Sequence, residues 1–378
     1  MDASNLVVWS VIMLTATWMA SPLHAQTYQI IHHFDFNSAE GAYTTGLTRD
    51  AAGNLYGTNA YAANSKGTVF KLDATTHALT VLHTFTDTPD GALPYAPVVP
   101  DSAGNIYGTT AEGGANGFGT VFKIDPFGVE TILYSFNGTD GSSPNGLIRD
   151  PAGNLYGTTR QGGRLGNSGV VFRVNKSGVE KTLYKFAGPE GGQSYGSLAR
   201  DAAGNLYGTT RTVGDKFPGT VFMLAPDGTE TVLHSFIGFT DGRRPMGGPV
   251  LDSAGNLFGT TESGGDFNKG TVFKIDAAGN FTVLHSFNVA DGQAPRAELV
   301  LDTAGNIYGN TAQGGDVGAG VVFKLDPSGN ETVLHSFVGG TDGLVPYGAL
   351  LLSSDGTIFG STCCGGILNG GTLFRIKP

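Results

Sequence analysis

Short apolar runs separated by glycine-rich polar turns recur along almost the whole chain. Over residues 298–337 this pattern predicts four strands: ELVLD (298–302), NIYGNT (306–311), VVFKLD (321–326) and ETVLHSF (331–337). Asp302 and Gly305 bound the first turn, and Asp326 and Gly329 bound the last, as type I turns prefer. Apolar residues adjoin within strands instead of alternating, which predicts sheets covered on both faces.

The same unit occurs seven times. The glycine of the first turn recurs at spacings of 51, 49, 51, 51, 50 and 51 residues. The seven glycines are Gly53, Gly104, Gly153, Gly204, Gly255, Gly305 and Gly356. A fixed period of about 50 residues indicates a repeat architecture. Four strands per repeat with both faces covered predict a β-propeller, whereas the alternative, a stacked solenoid, would need polar caps at its ends.

The two ends of the repeat region favour a closed ring. YQIIHHF (28–34) copies the fourth strand of the unit, and GTLFRIKP (371–378) copies the third. An N-terminal fourth strand can complete the last sheet and pair its open edge. We therefore predict an all-β fold, a seven-bladed β-propeller of four-stranded blades, closed by the N-terminal strand pairing with the C-terminal blade.

The first 25 residues differ from the repeats. The apolar run LVVWSVIMLTATWMA (6–20) followed by SPLHA is typical of a secretory signal peptide cleaved after Ala25. No Lys or Arg precedes the run, so an uncleaved anchor is the alternative. We expect a signal peptide over 1–25 and a propeller over 26–378, secreted or periplasmic, monomeric and not inserted in a membrane after cleavage.

Composition excludes some partner classes. The net charge is −10, and Lys and Arg do not cluster, which argues against nucleic acid and anionic membranes. The 60 glycines fall regularly among apolar residues, so they are turn residues of a β protein. No cofactor is expected.

The phrase GNLYGTTxxGGxxxxGTVFKID, nearly verbatim at 104–125 and 255–276, resembles the Gloeo_Verruco (GloVer) tandem repeat of exported bacterial proteins. The likeness covers all seven units, over residues 28–378. It implies export and no established catalytic role. Members often carry a C-terminal anchor, whereas this chain ends at Pro378 within its last strand, so we expect no such anchor.

One repeat position varies inside a nearly constant frame, just after the proline that precedes the first strand. Its occupants are Thr45, Tyr95, Asn145, Tyr195, Met246, Arg296 and Tyr347. Because strands alternate in direction, the tight turns lie on one face of the propeller and the long loops on the other. The variable residues are predicted to lie at the mouth of the channel, on the long-loop face. Three tyrosines and an arginine there suit stacking on, and hydrogen bonding to, a sugar. The alternative is an unconstrained solvated position.

Charged residues of the long loops are further candidates for ligand contact. They are Glu112, Arg160, Arg211, Asp266 and Asp316. Taken one by one, each is more typical of a solvated charge than of a ligand contact. A carboxylate pair for glycoside hydrolysis, Glu112 with Asp266 or Asp316, is a second hypothesis for this set.

Three other recurring features have structural explanations. Five regularly spaced histidines (His32, His83, His234, His285 and His335) lie in separate blades, so we predict hydrogen bonds between blades instead of a metal site. Each Asp-x-Ala-Gly-Asn turn has one aspartate, which caps its own backbone; a calcium loop needs several carboxylates. The adjacent Cys363 and Cys364 form either a vicinal disulfide or two reduced thiols, and no metal site.

These features favour a non-catalytic binding or scaffold propeller that holds a glycan or a cell-surface protein on its long-loop face. The alternative is an extracellular hydrolase or lyase acting on a carbohydrate or lactone at the channel mouth. A purely architectural role would show no concave polar site.

Overall fold

The computed structural model describes residues 26–63, 65–163, 167–187, 191–212 and 218–377. The predicted signal peptide lies outside these residues. The described part contains 29 β-strands and one short 3-10 turn at Gly340–Asp342. Among these residues no helix has the length and apolar character required to span a bilayer.

Six blades follow one another along the chain. Blade 1 contains β2 (Ala42–Arg49), β3 (Leu55–Tyr61), β4 (Thr68–Leu72) and β5 (Leu79–Thr84). Blade 2 contains β6 (Val99–Pro100), β7 (Ile106–Thr110), β8 (Thr120–Ile124) and β9 (Glu130–Ser135). Blade 3 contains β10 (Ser142–Arg149), β11 (Leu155–Gln161), β12 (Val170–Val174) and β13 (Glu180–Lys185). Blade 4 contains β14 (Ala199–Arg200), β15 (Leu206–Thr210), β16 (Thr220–Leu224) and β17 (Glu230–Ser235). Blade 5 contains β18 (Val250–Leu251), β19 (Leu257–Thr261), β20 (Thr271–Ile275) and β21 (Phe281–Ser286). Blade 6 contains β22 (Val300–Leu301), β23 (Ile307–Thr311), β24 (Val321–Leu325) and β25 (Glu331–Ser336).

The seventh blade is built from both ends of the repeat region. Its strands are β26 (Leu344–Pro346), β27 (Leu351–Leu352), β28 (Ile358–Cys364), β29 (Asn369–Lys377) and, on the outside, β1 (Thr27–Asp35). β1 pairs antiparallel with β29, with Ile30 opposite Phe374 and His32 opposite Leu373. The predicted seven-bladed propeller and its closure by the N-terminal strand are therefore confirmed.

The innermost strands are shorter than predicted in most blades. The predicted ELVLD strand (298–302) is reduced to Val300–Leu301, whereas β2 and β10 have eight residues. In blade 3 only Asn145 and Gly146 separate the proline position from the first core leucine, but blade 6 has the additional residue Glu298. The extra residue breaks the antiparallel ladder, so that this segment bends beside the channel instead of continuing the strand.

Phenylalanine pairs form the centre of every blade interface. The phenylalanine that ends the fourth strand of one blade meets the third-strand phenylalanine of the next, with ring centroids 5.0–5.3 Å apart. The pairs are Phe34–Phe70, Phe85–Phe122, Phe136–Phe172, Phe186–Phe222, Phe236–Phe273, Phe287–Phe323 and Phe337–Phe374. Aromatic rings at this separation contribute beyond their buried area. The prediction that both faces of each sheet are covered is confirmed, because each apolar cluster draws on two adjacent blades.

The recurring histidines hold the connections between blades. Nε2 of His83 lies 3.2 Å from Oδ2 of Asp90, and Nε2 of His234 lies 3.1 Å from Oδ2 of Asp241. In the same loop Oδ1 of Asp241 accepts the backbone N–H of Ile237. Burial lowers the pKa of His234, and the pull of Asp241 offsets this only in part. These histidines lie on outermost strands of separate blades, where each contacts a carboxylate of the loop that follows its strand.

The Asp-x-Ala-Gly-Asn turns close as predicted. Oδ1 of Asp302 accepts the backbone N–H of Asn306, 2.8 Å away, and Oδ2 accepts the side-chain amide of Asn306 and the hydroxyl of Tyr308. The single carboxylate is used entirely inside its own turn and strand.

A buried carboxylate on the outer strand of blade 2 should make stability depend on pH. Burial, and then the charge of Asp90, raise the pKa of Glu130 to about 7 from an ordinary value of 4.5. Its Oε1 has no hydrogen-bond partner among the described residues. The folded state therefore binds more protons than the unfolded state between these two pKa values. The stability that this group contributes is complete below about pH 4.5 and is lost as pH rises through 7.

We expect Glu130→Gln to raise the thermal midpoint relative to the parent at pH 8, and the difference to shrink by pH 5. Differential scanning calorimetry of both proteins at the two pH values measures this. Glu180→Gln is the matched control, because its carboxylate accepts a hydrogen bond from Thr182, and its effect should be smaller. A difference for Glu130→Gln that does not change with pH would refute the assignment.

Candidate functional site

A repeated backbone feature aims side chains at the channel mouth. In all seven blades the residue at the repeat position of Leu93 has a left-handed conformation, with φ of 56° at Leu93, 54° at Gln193 and 56° at Val345. Such values are uncommon for residues other than glycine. The chain therefore turns sharply, and the residue two positions later, such as Tyr195, is brought to the rim of the channel.

All seven blades converge on a cavity of about 340 Å³, here called the axial cavity. Six of the seven predicted mouth residues line it: Thr45, Tyr95, Tyr195, Met246, Arg296 and Tyr347. The predicted loop residue Arg160 also lines it. Five further lining residues that the sequence did not single out are Tyr43, Tyr61, Pro97, Ser197 and Glu298.

Aromatic rings and guanidinium groups surround most of this opening. Tyr347, Tyr43, Tyr61 and Tyr95 follow one another with ring centroids 5.6, 5.8 and 6.3 Å apart. The hydroxyls of Tyr61 and Tyr95 lie 2.6 Å apart. We call these four tyrosines together with Arg160, Tyr195, Arg211 and Arg296 the aromatic belt. Burial raises the pKa of Tyr43 and Tyr95 far above the usual range, so both phenols stay protonated and can donate hydrogen bonds.

Asn145 is the one predicted mouth residue that does not line the cavity. It is 3% exposed, and its amide donates to the carbonyl oxygen of Ser194 at 2.7 Å. Its Oδ1 accepts Nε of Arg160 at 2.9 Å. Asn145 therefore positions Arg160, whose guanidinium carbon lies 4.7 Å from the ring centroid of Tyr195 and 5.4 Å from that of Tyr95.

Arg296 is held by a buried carboxylate. Its Nε and one terminal nitrogen lie 2.9 and 2.7 Å from Oε1 of Glu262, which is 8% exposed. Oε2 of Glu262 forms an ion pair with Arg244 at 3.0 Å. The guanidinium of Arg296 lies 6.0 Å from the ring of Tyr347.

Glu298 spans the inside of the channel. Its Oε1 accepts the backbone N–H of Ser197 at 2.8 Å, so blade 6 reaches blade 4 across blade 5. Gly248 of blade 5 allows this approach, because a Cβ there would collide with the carbonyl oxygen of Ser197. Among the described residues, Glu298 is the carboxylate that lines the axial cavity.

The other predicted loop residues lie outside this cavity. Arg211 contacts the outer side of the belt, with its guanidinium carbon 5.4 Å from the ring of Tyr195. Glu112, Asp266 and Asp316 are exposed on the outer loops. The structure therefore does not bring Glu112 together with Asp266 or Asp316 at the channel mouth.

The two cysteines lie beside the belt. Both are free thiols in the structure, Cys363 buried and Cys364 half-buried, and with Tyr43 they line a small apolar cavity. A hydrogen bond from Cys363 lowers the pKa of Cys364 to about 7. The vicinal disulfide stays a prediction for the oxidised protein. Across the described ranges no group of three or more His, Cys, Asp or Glu residues is arranged to hold a metal ion.

A second cavity of about 290 Å³ lies on the tight-turn face, at the seam between blades 7 and 1. Two of its lining groups already have partners, since Arg49 donates to Ser353 and Arg375 to Gln29. Because two blades form it and seven form the axial cavity, the axial cavity is the stronger candidate.

Three charged residues in or beside the belt share one repeat position, three residues after the second-strand glycine. That position is alanine or cysteine in blades 1, 2, 6 and 7, but Arg160, Arg211 and Glu262 in blades 3, 4 and 5. This comparison of repeats could have separated Arg160, Arg211 and Glu262 from the outer-loop charges.

The fold and the cavity define a seven-bladed β-propeller with a polar, aromatic-rimmed site on its axis. The chain matches the model of the Gloeobacter/Verrucomicrobia repeat twice, over residues 19–216 and 193–378. It belongs to this repeat family. Among curated proteins, none matches its sequence.

Two solved structures share this fold at low sequence identity, and a third resembles it more distantly. The extracellular domain of a hybrid two-component system from B. thetaiotaomicron superposes with a TM-score of 0.61 at 11% identity, covering 92% of this chain and 39% of that one. PorZ, a bacterial surface component of the type-IX secretion system of Porphyromonas gingivalis, gives a TM-score of 0.56 at 14% identity, covering 92% and 48%. A gluconolactonase from Xanthomonas campestris gives 0.47 at 12% identity, covering 94% and 90%. This chain spans less than half the length of the first two structures.

Proposed function

We propose that the protein is an exported binding propeller that holds a saccharide in its axial cavity, without chemical conversion. The observation that carries the proposal is the aromatic belt, in which residues of blades 1, 2, 3, 4, 6 and 7 meet around one opening. Sugars present apolar C–H faces and a rim of hydroxyls. Tyrosine offers both an aromatic face and a polar hydroxyl to such a ligand.

The polar groups of the cavity suit hydroxyl recognition. Phenols of the belt can donate or accept hydrogen bonds, Arg160 donates, and Glu298 accepts. Because these side chains are already held by Asn145, by Ser197 and by one another, little side-chain entropy would be lost on binding.

The size of the cavity favours a small unit. At about 340 Å³ it lies at the lower end of the range of about 300–1,000 Å³ that is typical of ligand sites. One sugar ring, or the terminal unit of a longer glycan, suits this volume better than a protein segment does.

The carboxylates favour binding over hydrolysis. Glycosidases generally use two carboxyl groups that flank the scissile bond. In the described part of the chain the axial cavity has Glu298, while Glu262 is covered by Arg296 and Arg244. Among the residues that the structure describes, the hydrolase alternative therefore lacks a second carboxylate at the place where it would need one.

We expect glycan-array binding by the purified protein to be lost in a Tyr95→Ala, Tyr195→Ala and Tyr347→Ala triple variant. Each sugar face that stacks on an aromatic ring contributes on the order of 1 kcal/mol to the binding free energy. Removing three rings should therefore weaken the affinity at least about a hundredfold. Isothermal titration with the best array ligand measures the change.

Phe127→Ala is the control for this variant. Phe127 is 91% exposed in a tight turn on the opposite face, and its removal should leave binding unchanged. The thermal midpoint of the triple variant confirms that it is folded. Glycan binding that survives the triple substitution would remove the belt from the site, and turnover of a bound glycan would favour the enzyme.

A further inference from the structure

We infer that the axial cavity selects acidic saccharides, with a sugar carboxylate bound by Arg160. This inference rests on the proposed saccharide function and specifies its ligand class. The ligand chemistry is that of a uronate residue, which combines one carboxylate with adjacent hydroxyls on the same ring.

Arg160 has a free charge in a prepared position. Its Nε is occupied by Asn145, which is buried and bonded on its other side to Ser194. Its guanidinium is stacked between Tyr95 and Tyr195. No carboxylate of the described residues forms an ion pair with it, so the charge of its guanidinium is available to a ligand in the cavity that it lines. A guanidinium has a fork of N–H donors that fits a carboxylate.

Arg296, the other guanidinium that lines the cavity, is different. Glu262 lies within 2.7 Å of it and neutralises it locally. Both Arg160 and Glu262 occupy the repeat position that is alanine or cysteine in four blades. At this position blade 3 therefore has Arg160, which has no ion-pair partner among the described residues, and blade 5 has Glu262, which neutralises the charge of Arg296.

The surroundings of the cavity are positive although the whole chain is negative. Four guanidiniums lie at or beside the belt (Arg160, Arg211, Arg244 and Arg296), against the two carboxylates Glu262 and Glu298. The chain as a whole carries a net charge of −10. A concave positive site concentrates anionic ligands at its mouth, while the negative remainder of the surface repels them.

Glu298 explains why a sugar acid is preferred over a simple anion. Within the described ranges its second carboxylate oxygen, Oε2, has no hydrogen-bond partner, and Glu298 lines the same cavity as Arg160. A carboxylate accepts hydrogen bonds from hydroxyls but repels a second negative charge. The site therefore pairs a carboxylate binder with a hydroxyl binder, which matches a uronate ring.

The test uses oligouronates of the galacturonate, glucuronate and mannuronate series beside their neutral methyl esters, titrated into the full-length mature protein. The acid form of at least one series should bind at least about tenfold more tightly than its ester, as expected for one charge-assisted contact. The preference should decrease as salt increases. Arg160→Met should abolish the preference, and Arg160→Lys should retain part of it.

Lys176→Met is the matched control, because it removes the same charge from an exposed turn on the opposite face. Equal binding of acid and ester, or an unchanged preference in Arg160→Met, would overturn the inference and leave the saccharide function standing. Binding of no saccharide in either form would overturn both. If Arg160→Met does not fold, the lysine variant and the salt dependence still decide the question.

Discussion

Phe34→Ala is expected to lower the free energy of unfolding by about 3–5 kcal/mol, the range for removing a fully buried aromatic ring. Phe34 is 0% exposed although it belongs to the N-terminal strand β1. Its ring lies 5.2 Å from that of Phe70 in blade 1 and packs in a cluster with Leu47, Leu55 and Leu373. One substitution therefore loosens both the closing strand and the interface between blades 7 and 1.

Urea denaturation monitored by far-UV circular dichroism measures this decrease in the free energy of unfolding. Phe36→Ala is the matched control, two residues further along and 53% exposed, and it should change stability by no more than about 0.5 kcal/mol. Equal behaviour of the two variants would show that β1 does not close the ring in solution. Loss of the closing strand would also leave β29 as an open edge, so we expect Phe34→Ala to aggregate more readily.

Gly157→Ala is expected to destabilise the protein by about 1–3 kcal/mol, the usual result of adding a methyl group to a filled core. Gly157 lies directly opposite Phe172 on the neighbouring strand, and a Cβ there would lie 2.7 Å from Cζ of that ring. Phe172 is fully buried against Phe136 of blade 2, so it cannot move aside. The same glycine–phenylalanine pair occurs in every blade, which explains why the second strand always reads Tyr-Gly or Phe-Gly.

A double-mutant cycle separates this cause from a general loss of strand propensity. Phe172→Leu removes the end of the ring, so Gly157→Ala should be less harmful in that background than in the parent. Lys181→Ala, exposed on β13 of the same blade, is the control and should be close to neutral. Additive effects of Gly157→Ala and Phe172→Leu would mean that the methyl group does not meet the ring.

Much of the site could be read from the sequence, because a repeat shows which positions vary against a constant frame. The position after the proline identified six lining residues, including Tyr95, Tyr195 and Arg296. Asn145 departs from the others because its amide donates to the carbonyl oxygen of Ser194 and its Oδ1 accepts Nε of Arg160. Its side chain is therefore buried under Arg160 instead of lining the cavity.

The remaining members of the site depend on contacts between blades. Glu298 meets Ser197 although 101 residues separate them, and Glu262 meets Arg296 across a blade boundary. No spacing within one repeat indicates such pairs. The exposed Glu112, Asp266 and Asp316 are charged like the residues of the cavity, and their different repeat positions and their place on the outer loops distinguish them.

The sequence by itself determined the number of blades, their four-strand order and the closure of the ring. The strand order follows from the turn residues and apolar runs within one repeat of about 50 residues. The number of blades follows from the number of repeats, and the closure follows from the phase of the two chain ends. Only the tertiary structure decided which charges face the axis and which are neutralised there. That depends on how far each innermost segment bends and on which neighbour it meets, because burial and ion pairing arise between blades that are distant in sequence.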